Sequence, residues 1–355
     1  MKIAVIYNEP KSTTSEDHWL RRSDSQYHPP SSAFIDASEH GVLEQMRSIA
    51  AALREHGHPV VIFSADDDAG RLCNFLANEH PEIIFNCCES ILGESKLEMN
   101  VAAVYELFGI AYTGSSPLTL GLALDKALSK AVFLSHGIPT PHHQLFEHHN
   151  LGHIDSTLKF PLIVKPVHED ASIGIDANSI VHNENSLTER VRFIQNEFDQ
   201  PALAEEFIDG RELNVAVLQN AIGVFFALPV SEITFDNMPE GMPRIVSYEA
   251  KWVEESPMYQ TTVPNCPADL PEHVAMNAQQ IALKAASAIG LRDYGRIDMR
   301  LRDDGTIFVL EANPNPDISE DAGFMRAALA SGRTFSSTIN EILSLAIERS
   351  TRGMR

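Results

Sequence analysis

The segment YGRIDMRLRDDGTIFVLEANPNPD, residues 294–317, constrains the fold more than any other part of the chain. Two runs of alternating apolar and polar residues flank Asp304-Gly305, and such a pair between alternating runs is a strong hairpin signal. If these two residues form the turn, Asp298 lies opposite Glu311. The sequence therefore predicts an antiparallel hairpin with a defined register.

This register gives the hairpin a polar face and an apolar face, because side chains alternate between the two faces of a strand. The polar face carries Arg296, Asp298, Glu311 and Asn313. The apolar face carries Ile297, Met299, Phe308, Leu310 and Ala312.

Like charges directly opposite each other destabilise a sheet, whereas carboxylate and amide oxygens suit a hard cation such as Mg²⁺. We therefore expect a Mg²⁺ site on the polar face, with Arg296 beside it to meet a phosphate or an oxyanion. The alternative is a salt-bridged face on which Arg296 and Arg300 pair with Asp298.

Length and charge limit the classes of function. With 355 residues, the chain is expected to form two or three domains of about 150 residues each. Hydrophobic residues make up 44% and charged residues 21%, which indicates a folded globular chain. The formal net charge of −22 argues against nucleic acid or an anionic membrane as a partner, because both are negatively charged. It is compatible with a small anionic ligand in a local basic pocket.

Cysteine content and the N-terminal residues indicate the compartment. The four cysteines, Cys73, Cys87, Cys88 and Cys266, form neither a CxxC pair nor a zinc-binding spacing. The apolar run in MKIAVIYNEP is too short for a signal peptide, and no stretch approaches the roughly 18 apolar residues of a membrane span. We therefore expect a cytoplasmic protein.

Strands alternate with a helix in the first part of the chain, which predicts an α/β domain with a parallel sheet over residues 1–115. A helical pattern covers Glu39–His56, and residues 11–33 are predicted to form a long loop. Short apolar runs typical of buried strands are Lys2–Tyr7, Pro59–Phe63 and Pro81–Phe85.

The rest of the chain mixes both element types and predicts two α+β domains, over residues 116–200 and 201–355. Helices are expected at Leu118–His136, Ser186–Phe198 and Val274–Ile289. Strands before the hairpin are expected at Phe160–Lys165, Ile173–Val181, Ala202–Ile208, Glu212–Leu218 and Gly223–Ile233. A loop is expected from Asn237 to Pro271.

Lysines and a polar loop indicate a phosphate site. Lys165 closes the apolar strand FPLIVK, and the loop that follows offers the backbone NH groups of Ser172 and Gly174 to an anion. This loop is predicted to be a flap over phosphates; a lysine whose head reaches solvent from a strand end is the alternative. Taken alone, Lys126 and Lys251 are typical surface lysines.

A nucleoside site is predicted at the junction of the last two domains. In the segment Glu205-Glu206-Phe207-Ile208, the apolar side chains of the last two residues can sandwich a base. A carboxylate such as that of Glu212 can bind the ribose hydroxyls. No GxGxxG or GxxxxGK[ST] motif occurs, so a nucleotide would need a different type of site. The alternative is an ordinary hinge strand.

Several motifs, in the same order, resemble the ATP-grasp fold and in particular the D-alanine–D-alanine ligases. They are YTGSSPLTLGLALDKALSKAVFLSHGIPTP, FPLIVKP, AEEFIDGRELNVAV, SYEAKW and YGRIDMRL…VLEANPNP. The resemblance covers about residues 80–335. It implies a parallel α/β domain followed by two α+β domains that hold ATP between them.

The resemblance implies ATP contacts for Lys126, Lys165, Ser172, Glu205, Phe207, Ile208, Glu212 and Lys251. Among these, Glu205 and the backbone near Ile208 would read the adenine edge, and Glu212 would bind the ribose. The implied ligands of two Mg²⁺ ions, with Mn²⁺ as a substitute, are Asp298, Glu311 and Asn313. The implied catalytic residues, at the γ-phosphate and the developing charge, are Lys251 and Arg296.

The reaction that the resemblance implies joins a carboxylate to an amine. ATP phosphorylates the carboxylate, and the amine attacks the acyl phosphate to give an amide, ADP and phosphate. Metal ions and cations would neutralise the developing charge, and a closed flap would keep water from the acyl phosphate. The implied partners are a small-molecule carboxylate, a small-molecule amine and a second copy of the chain in a homodimer.

The chain departs from this family where substrates bind. The glycine-rich N-terminal motif is missing, FNCCES puts Glu89 at the place of a histidine, and Trp252 stands where a tyrosine is usual. The flap reads Glu169-Asp170-Ala171-Ser172 where the family has EGSS. After the EAN motif, a segment that is small and serine-rich in the family carries Asp317, Glu320 and Asp321.

Three acids would repel a substrate carboxylate and attract an ammonium group. We therefore expect substrates other than two D-alanines, with a cationic amine or an amino group on a larger molecule as the acceptor. The candidate substrate residues are Glu89, Trp252, Asp317, Glu320 and Asp321. The alternatives are that the acids cap the following helix, that the protein is a true D-alanine–D-alanine ligase, or that it is a non-catalytic ATP-binding scaffold or sensor.

Overall fold

The protein is described by a computed structural model over residues 1–8, 33–65, 68–147 and 151–352, with the backbone alone for residues 33–41. Within these ranges the chain forms one parallel and two antiparallel sheets with helices packed on them. This confirms the expected combination of α/β and α+β architecture. The predicted loop over residues 11–33 lies outside the described residues, except that residue 33 already begins a helix.

The N-terminal sheet is parallel and has the strand order β2-β1-β3-β4. Its strands are β1 (Ile3–Tyr7), β2 (Val60–Ser64), β3 (Ile83–Cys87) and β4 (Ala111–Tyr112). Its helices are α1 (Ala33–Glu55), α2 (Ala69–Glu79) and α3 (Glu98–Leu107). All five residues of β1 are buried, as is typical of a parallel strand with both faces covered. The three predicted strands and the first helix are confirmed.

The single helix expected at Leu118–His136 is wrong, because Asp125 divides it into α4 (Pro117–Leu124) and α5 (Lys126–Ser135). Asp125 has extended backbone angles, and its carboxylate accepts hydrogen bonds from the NH groups of Ala127, at 3.0 Å, and Leu128, at 2.9 Å. An aspartate often favours this capping geometry over a place inside a helix. As a result, Lys126 begins a new helix.

The central sheet is antiparallel, with the strand order β5-β8-β6-β7. Its strands are β5 (His143–Phe146), β6 (Leu162–Pro166), β7 (Ile180–Val181) and β8 (Ala202–Glu206), and α6 (Glu184–Phe198) packs on it. The strand expected at Ile173–Val181 is wrong except for its last two residues. Ala171, Ser172 and Gly174 have φ angles of +54°, +63° and +75°, which turn the chain before a strand can form.

The C-terminal sheet is antiparallel, with the strand order β12-β11-β9-β13-β14, and β10 also pairs with β9. Its strands are β9 (Arg211–Gln219), β10 (Phe225–Ala227), β11 (Ser231–Thr234), β12 (Val263–Asn265), β13 (Tyr294–Leu301) and β14 (Ile307–Asn313). Helix α9 (Glu272–Ile289) covers its apolar face, where Val215, Ile297 and Val309 are fully buried. Its other face carries the polar residues of the hairpin.

Two predictions around this sheet are wrong. The strand expected at Gly223–Ile233 is divided into β10 and β11 by residues 228–230. The loop expected from Asn237 to Pro271 contains β12 and the short helices α7 (Tyr248–Trp252) and α8 (Pro257–Gln260). Each short helix is capped by a serine just before it, a signal too local to stand out in a long polar segment.

The hairpin pairs Asp298 with Glu311 and Arg296 with Asn313, as predicted. Its turn was wrongly predicted, because Arg302 N donates to Thr306 O, at 2.9 Å, across three residues rather than two. The extra turn residue shifts the register by one position, and a β-bulge after Asp298 shifts it back.

The bulge also corrects the predicted apolar face. On β14 the fully buried residues between the turn and the bulge are Ile307 and Val309, whereas Phe308 and Leu310 are only half-buried. The one-position shift exchanges the two faces of this half of the strand. Ile297, Met299 and Ala312 lie in the core as expected.

Helix α11 (Phe335–Thr351) packs against the N-terminal sheet, and α10 (Gly323–Ala330) packs against α11 and against β9 of the C-terminal sheet. Ile339 and Ile342 of α11 share one core with Ile3 and Val5 of β1. The domain limits at residues 115 and 200 stay a prediction. In the described part of the chain, no helix is both long enough and apolar enough to cross a membrane.

Candidate active site

A buried glutamate joins two lysines at the centre of the central sheet. Glu205 on β8 is 2% exposed, with Oε1 2.7 Å from Nζ of Lys165 on β6 and Oε2 2.6 Å from Nζ of Lys130 on α5. Burial alone would raise the pKa of Glu205, but the two lysines outweigh it and lower the pKa to about 2. The carboxylate is therefore ionised, and its predicted contact with adenine stays a prediction.

Lys130 is a site residue that the sequence analysis missed. Its side chain is fully buried, and Nζ donates to Oγ1 of Thr140, at 2.9 Å, and to the carbonyl oxygen of Leu310, at 3.3 Å. Burial, opposed by Glu205, lowers the pKa of Lys130 to about 8. The available signal was its position four residues after Lys126 and three before the buried Phe133, on one helix face.

Charged residues on the polar faces of the two antiparallel sheets shift each other's pKa values. Burial disfavours the charge of Lys165, yet Glu205 on its own sheet and Glu311 and Glu212 on the C-terminal sheet raise its pKa. A carboxylate shifts a lysine pKa in this way only over a short distance. Lys130 contacts Glu205 of the central sheet and donates to the Leu310 carbonyl oxygen of β14, so the two sheets approach each other beside Lys165. We call the space between their polar faces the cleft.

The connection from β8 to β9 passes through this cleft. Phe207 N donates to the carbonyl oxygen of Pro161, at 3.0 Å, and Ile208 is 4% exposed. Within the described ranges, the NH and carbonyl groups of Ile208 have no hydrogen-bonding partner. A buried backbone edge of this kind suits a flat polar ligand. A side chain at Gly210 would collide with the carbonyl oxygen of Leu301, so glycine is required there.

Glu212, predicted to bind a ribose, follows on β9. Its Oε2 accepts from Nη2 of Arg300, at 2.6 Å. Burial raises the pKa of Glu212, and Arg300 opposes this shift. Arg300, predicted from the hairpin pattern as a salt-bridge partner of Asp298, pairs instead with Glu212.

Asp298 is held by several donors on the polar face of the hairpin. Arg296 donates to both carboxylate oxygens, from Nε at 2.7 Å and from Nη2 at 2.8 Å. Asn214 of β9 donates to Oδ1, at 2.8 Å, and Asn313 donates to Oδ2, at 3.0 Å. Burial alone would raise the pKa of Asp298, but Arg296 lowers it. Asn214 was missed, although it lies two residues after Glu212 and so on the same face of β9.

The same face fits a metal ion in its donor chemistry. Asp298 and Glu311 lie directly opposite each other, and the amide of Asn313 is beside them. Among the described residues, no group of three or more His, Cys, Asp or Glu side chains is arranged to hold a metal. A metal here would therefore be held by two carboxylates and an amide, with substrate oxygens as further ligands, which is the usual manner of Mg²⁺. These ligands stay a prediction.

The predicted flap contacts the C-terminal half of the chain. Ser172 Oγ donates to the carbonyl oxygen of Val246, at 2.8 Å, and Trp252 Nε1 donates to that of Ala171, at 2.9 Å. Lys126, 4% exposed, donates from Nζ to the carbonyl oxygen of Glu169 in the flap. These hydrogen bonds join the loop to the C-terminal half of the chain and to α5. Its role as a flap over phosphates stays a prediction.

Lys251 lies on α7 beside Trp252, with Nζ 4.9 Å from the centre of the Trp252 ring. Burial and then Arg296 lower the pKa of Lys251, while Asp317 and Glu89 oppose the shift. The two predicted catalytic cations, Lys251 and Arg296, therefore lie close enough to influence each other.

Of the predicted substrate residues, Glu89 and Asp317 oppose the lowering of the Lys251 pKa. Glu89 is exposed after the end of β3, and Asp317 is exposed after β14. Asp317 Oδ1 accepts from the backbone NH, at 2.8 Å, and the hydroxyl, at 2.6 Å, of Ser319.

The helix-capping alternative is wrong for the acids of this segment. Helix α10 has Ala322 at its N-cap without a side-chain hydrogen bond, and no acid lies in its first turn. Glu320 and Asp321 are exposed. Their predicted contact with substrate stays a prediction.

Asn315 was also missed. Its Nδ2 donates to Oε1 of Glu98, at 3.0 Å, and to the carbonyl oxygen of Cys88, at 3.1 Å. Burial raises the pKa of Glu98. Asn315 thereby ties the segment after the hairpin to the N-terminal domain, and the repeated Asn-Pro in NPNP was the available signal.

Comparisons with known proteins agree with this geometry. A family model described as D-ala D-ala ligase C-terminus matches residues 132–344. The D-alanine–D-alanine ligase of Bordetella petrii is 36% identical over 242 residues, which cover 68% of this chain and 69% of the relative. The uncharacterized protein y4sG of Sinorhizobium fredii is 35% identical over 309 residues, which cover 85% of this chain and 87% of the relative.

The fold matches a solved structure over nearly its whole length. The crystal structure of D-alanine–D-alanine ligase from Bacillus anthracis complexed with ATP has a TM-score of 0.73 to this chain, covers 99% of both chains and is 20% identical. The fold is therefore the ATP-grasp fold, and the sequence matches define the class as an ATP-dependent carbon–nitrogen ligase. The chain belongs to the D-alanine–D-alanine ligase family.

Proposed function

We propose that the protein forms an amide from a small-molecule carboxylate and an amine other than two D-alanines, through an acyl phosphate, with release of ADP and phosphate. The observation that carries this proposal is a buried cluster between the two sheets: Glu205 pairs with Lys165 at 2.7 Å and with Lys130 at 2.6 Å, and Lys130 also donates to the Leu310 carbonyl oxygen of β14. A nucleotide between these sheets would meet cations, carboxylates and a buried backbone edge together.

Within this cleft, ATP would be bound by residues of both sheets. The buried backbone edge at Ile208, whose NH and carbonyl groups have no partner in the described ranges, is suited to adenine, and Phe207 beside it offers an aromatic ring. Lys126 and Lys165 would meet the phosphates together with the NH groups of the flap around Ser172. In this arrangement Glu205 keeps Lys165 charged and directed into the cleft.

Mg²⁺ would be held by Asp298, Glu311 and Asn313, with two ions and replacement by Mn²⁺ as further predictions, and it would supply charge neutralisation to the phosphates. In the present structure Arg296 holds both oxygens of Asp298. Arg296 would therefore release Asp298 and turn toward the substrate when the Asp298 oxygens bind Mg²⁺.

In the proposed reaction, negative charge develops on the phosphoryl group and the acyl oxygen, close to Lys251 and Arg296. An oxygen of the substrate carboxylate attacks the γ-phosphorus, the bond to the β–γ bridging oxygen breaks, and ADP leaves. The amine then attacks the acyl carbon, phosphate leaves and the nitrogen loses a proton. Lys251 and Arg296 would stabilise the charge that develops at the phosphoryl group and the acyl oxygen. The closed flap, held through Trp252, would exclude water.

The acceptor end of the cleft favours a positively charged substrate. Asp317 is fixed by Ser319 and lies within electrostatic range of Lys251, as does Glu89. A substrate carboxylate at this place would be repelled, whereas an ammonium group would be attracted. The uncharacterized protein from Sinorhizobium fredii, similar over 85% of this chain, is compatible with a substrate other than two D-alanines.

The test is ADP release from Mg²⁺-ATP across a matrix of carboxylates and amines, D-alanine included. The proposal expects release that requires one carboxylate and one amine, with cationic amines preferred. Release with D-alanine alone would establish a true D-alanine–D-alanine ligase and overturn the substrate proposal. ATP binding without turnover on any pair would favour a scaffold or sensor. Homodimer formation stays a prediction, which light scattering would measure.

A further inference from the structure

Arg300 is a buried guanidinium that the proposed chemistry does not use. It lies on β13, on the same face as Asp298 and directly opposite Glu212 of β9. Its side chain is 4% exposed. A fully charged group at such a position is retained only where several partners compensate its desolvation.

The partners of Arg300 come from three segments around the proposed nucleoside site. Nη1 donates to the carbonyl oxygen of Gly210, at 3.0 Å. Nη2 donates to Oε2 of Glu212 and to the carbonyl oxygen of Arg244, each at 2.6 Å. Arg300 therefore joins the β8–β9 connection, strand β9 and the segment before α7.

Two aromatic rings flank the same guanidinium. Its central carbon lies 5.8 Å from the centre of the Phe207 ring and 5.6 Å from that of Phe235. These distances are within the range of cation–π contacts. Phe207 is the ring proposed to pack near adenine, so Arg300 supports the base site and the ribose site together.

The two oxygens of Glu212 differ in their partners. Arg300 holds Oε2, and among the described residues no hydrogen-bond donor reaches Oε1. A carboxylate fixed through one oxygen can accept a hydroxyl hydrogen bond through the other without losing side-chain freedom on binding.

We propose that Arg300 is a positioning residue for nucleotide recognition: it fixes Glu212 through Oε2 so that Oε1 accepts a ribose hydroxyl, and it anchors the 207–210 connection. This inference rests on the proposed function, since it assumes ATP in the cleft. Recognition of the ribose hydroxyls would then depend on Arg300, although Arg300 would not itself contact the reacting atoms.

The test compares the dissociation constants of ATP, 2′-deoxy-ATP and 3′-deoxy-ATP by calorimetry in the presence of Mg²⁺. A hydrogen bond to a charged group corresponds to roughly 10- to 100-fold in affinity, so the wild-type protein should prefer ATP over at least one deoxy analogue by about that factor. Arg300→Met should reduce this preference to within about threefold, mainly by weakening ATP. Arg300→Lys, which keeps the charge but not the forked geometry, should be intermediate.

Arg302→Met is the matched control, because Arg302 is a half-exposed arginine near the same hairpin that pairs with Asp304 in the turn. It should keep the wild-type preference. If Arg300→Met fails to fold, the Arg300→Lys result alone decides. Unchanged preference in a folded Arg300 variant, or equal weakening of all three nucleotides, would overturn the inference. Absence of ATP binding by the wild-type protein would instead overturn the proposed function.

Discussion

Nζ of Lys130 lies 2.6 Å from Oε2 of Glu205, at a position where the lysine has no exposed surface. Lys130 also donates to the carbonyl oxygen of Leu310, the residue at the bulge of the hairpin. One buried side chain on α5 therefore connects Glu205 of the central sheet to β14, the strand that carries Glu311.

Replacing Lys130 should destabilise the protein. Lys130→Met leaves Glu205 with one cation and leaves the hydroxyl of Thr140 and the Leu310 carbonyl without this donor, and breaking a buried ion pair costs about 3–5 kcal/mol. Urea unfolding would measure the change. Lys159→Met is the control, because Lys159 is exposed, and it should unfold near the wild-type midpoint. A midpoint for Lys130→Met equal to that of the control would contradict the role of this pair.

Glu205 should make stability depend on acid pH. Its pKa is about 2 in the folded protein and 4.5 in a typical carboxyl group, so the folded state binds fewer protons between these values. Its contribution, on the order of 3 kcal/mol, is fully present above about pH 4.5 and is lost as pH falls toward 2. The stability difference between wild type and Glu205→Gln should therefore shrink over that interval. Glu206→Gln, at the partly exposed residue next to Glu205, is the control. If the stability difference between wild type and Glu205→Gln stays constant with pH, the ion pair does not make this contribution.

Trp252 should control the coupling of ATP use to amide formation. Trp252→Phe keeps an aromatic ring but removes the donor to the Ala171 carbonyl, so the flap opens more readily and water reaches the acyl phosphate. We expect fewer amide bonds per ADP released, measured by quantifying both products. Trp252→Tyr, which retains a hydroxyl donor, should recover part of the coupling. An unchanged ratio in Trp252→Phe would show that this hydrogen bond does not hold the flap.

Glu311 should be required for turnover but not for folding. Glu311→Gln removes one of the two carboxylates proposed to hold Mg²⁺, and we expect kcat to fall by about 100-fold or more, with a higher Mg²⁺ requirement. Thermal unfolding without nucleotide should stay near wild type, since neutralising one of two facing acids relieves repulsion. Glu272→Gln, an exposed glutamate that begins α9, should retain full activity. Near wild-type turnover in Glu311→Gln would exclude it as a metal ligand.

Asp317 should determine the charge of the acceptor. Asp317→Asn should raise KM for a cationic amine by roughly tenfold, about 1.4 kcal/mol, with little change for a neutral amine, because one attractive charge is lost. Steady-state kinetics with matched cationic and neutral amines would measure this. The exposed Asp303→Asn in the hairpin turn is the control. An equal change in KM for both amines would indicate that Asp317 does not select the acceptor by its charge.

The hairpin shows how far alternation in the sequence predicts structure. The pairing of Asp298 with Glu311 was predicted correctly, although the turn has three residues and not two. The bulge that compensates for the longer turn has no signal in an apolar run such as IFVLEA. The face of a strand beyond a bulge therefore cannot be predicted from alternation alone.

The other errors arise from contacts between segments far apart in sequence. Lys130 becomes a site residue only because Glu205 and Leu310 approach it from other elements. Arg300 likewise depends on Gly210 and Arg244. By contrast, the parallel sheet and the polar face of the hairpin follow from local patterns, because hydrophobic alternation determines which side of a strand is buried.

The central claim, phosphorylation of a substrate carboxylate in this cleft, is tested most directly by isotope transfer. A carboxylate substrate labelled with ¹⁸O in both oxygens, with its amine partner and Mg²⁺-ATP, should yield phosphate that carries one ¹⁸O atom per amide formed. Mass spectrometry of the phosphate measures this. Phosphate without the label, at a rate equal to amide formation, would contradict the acyl-phosphate route and with it the proposed roles of Lys251 and Arg296.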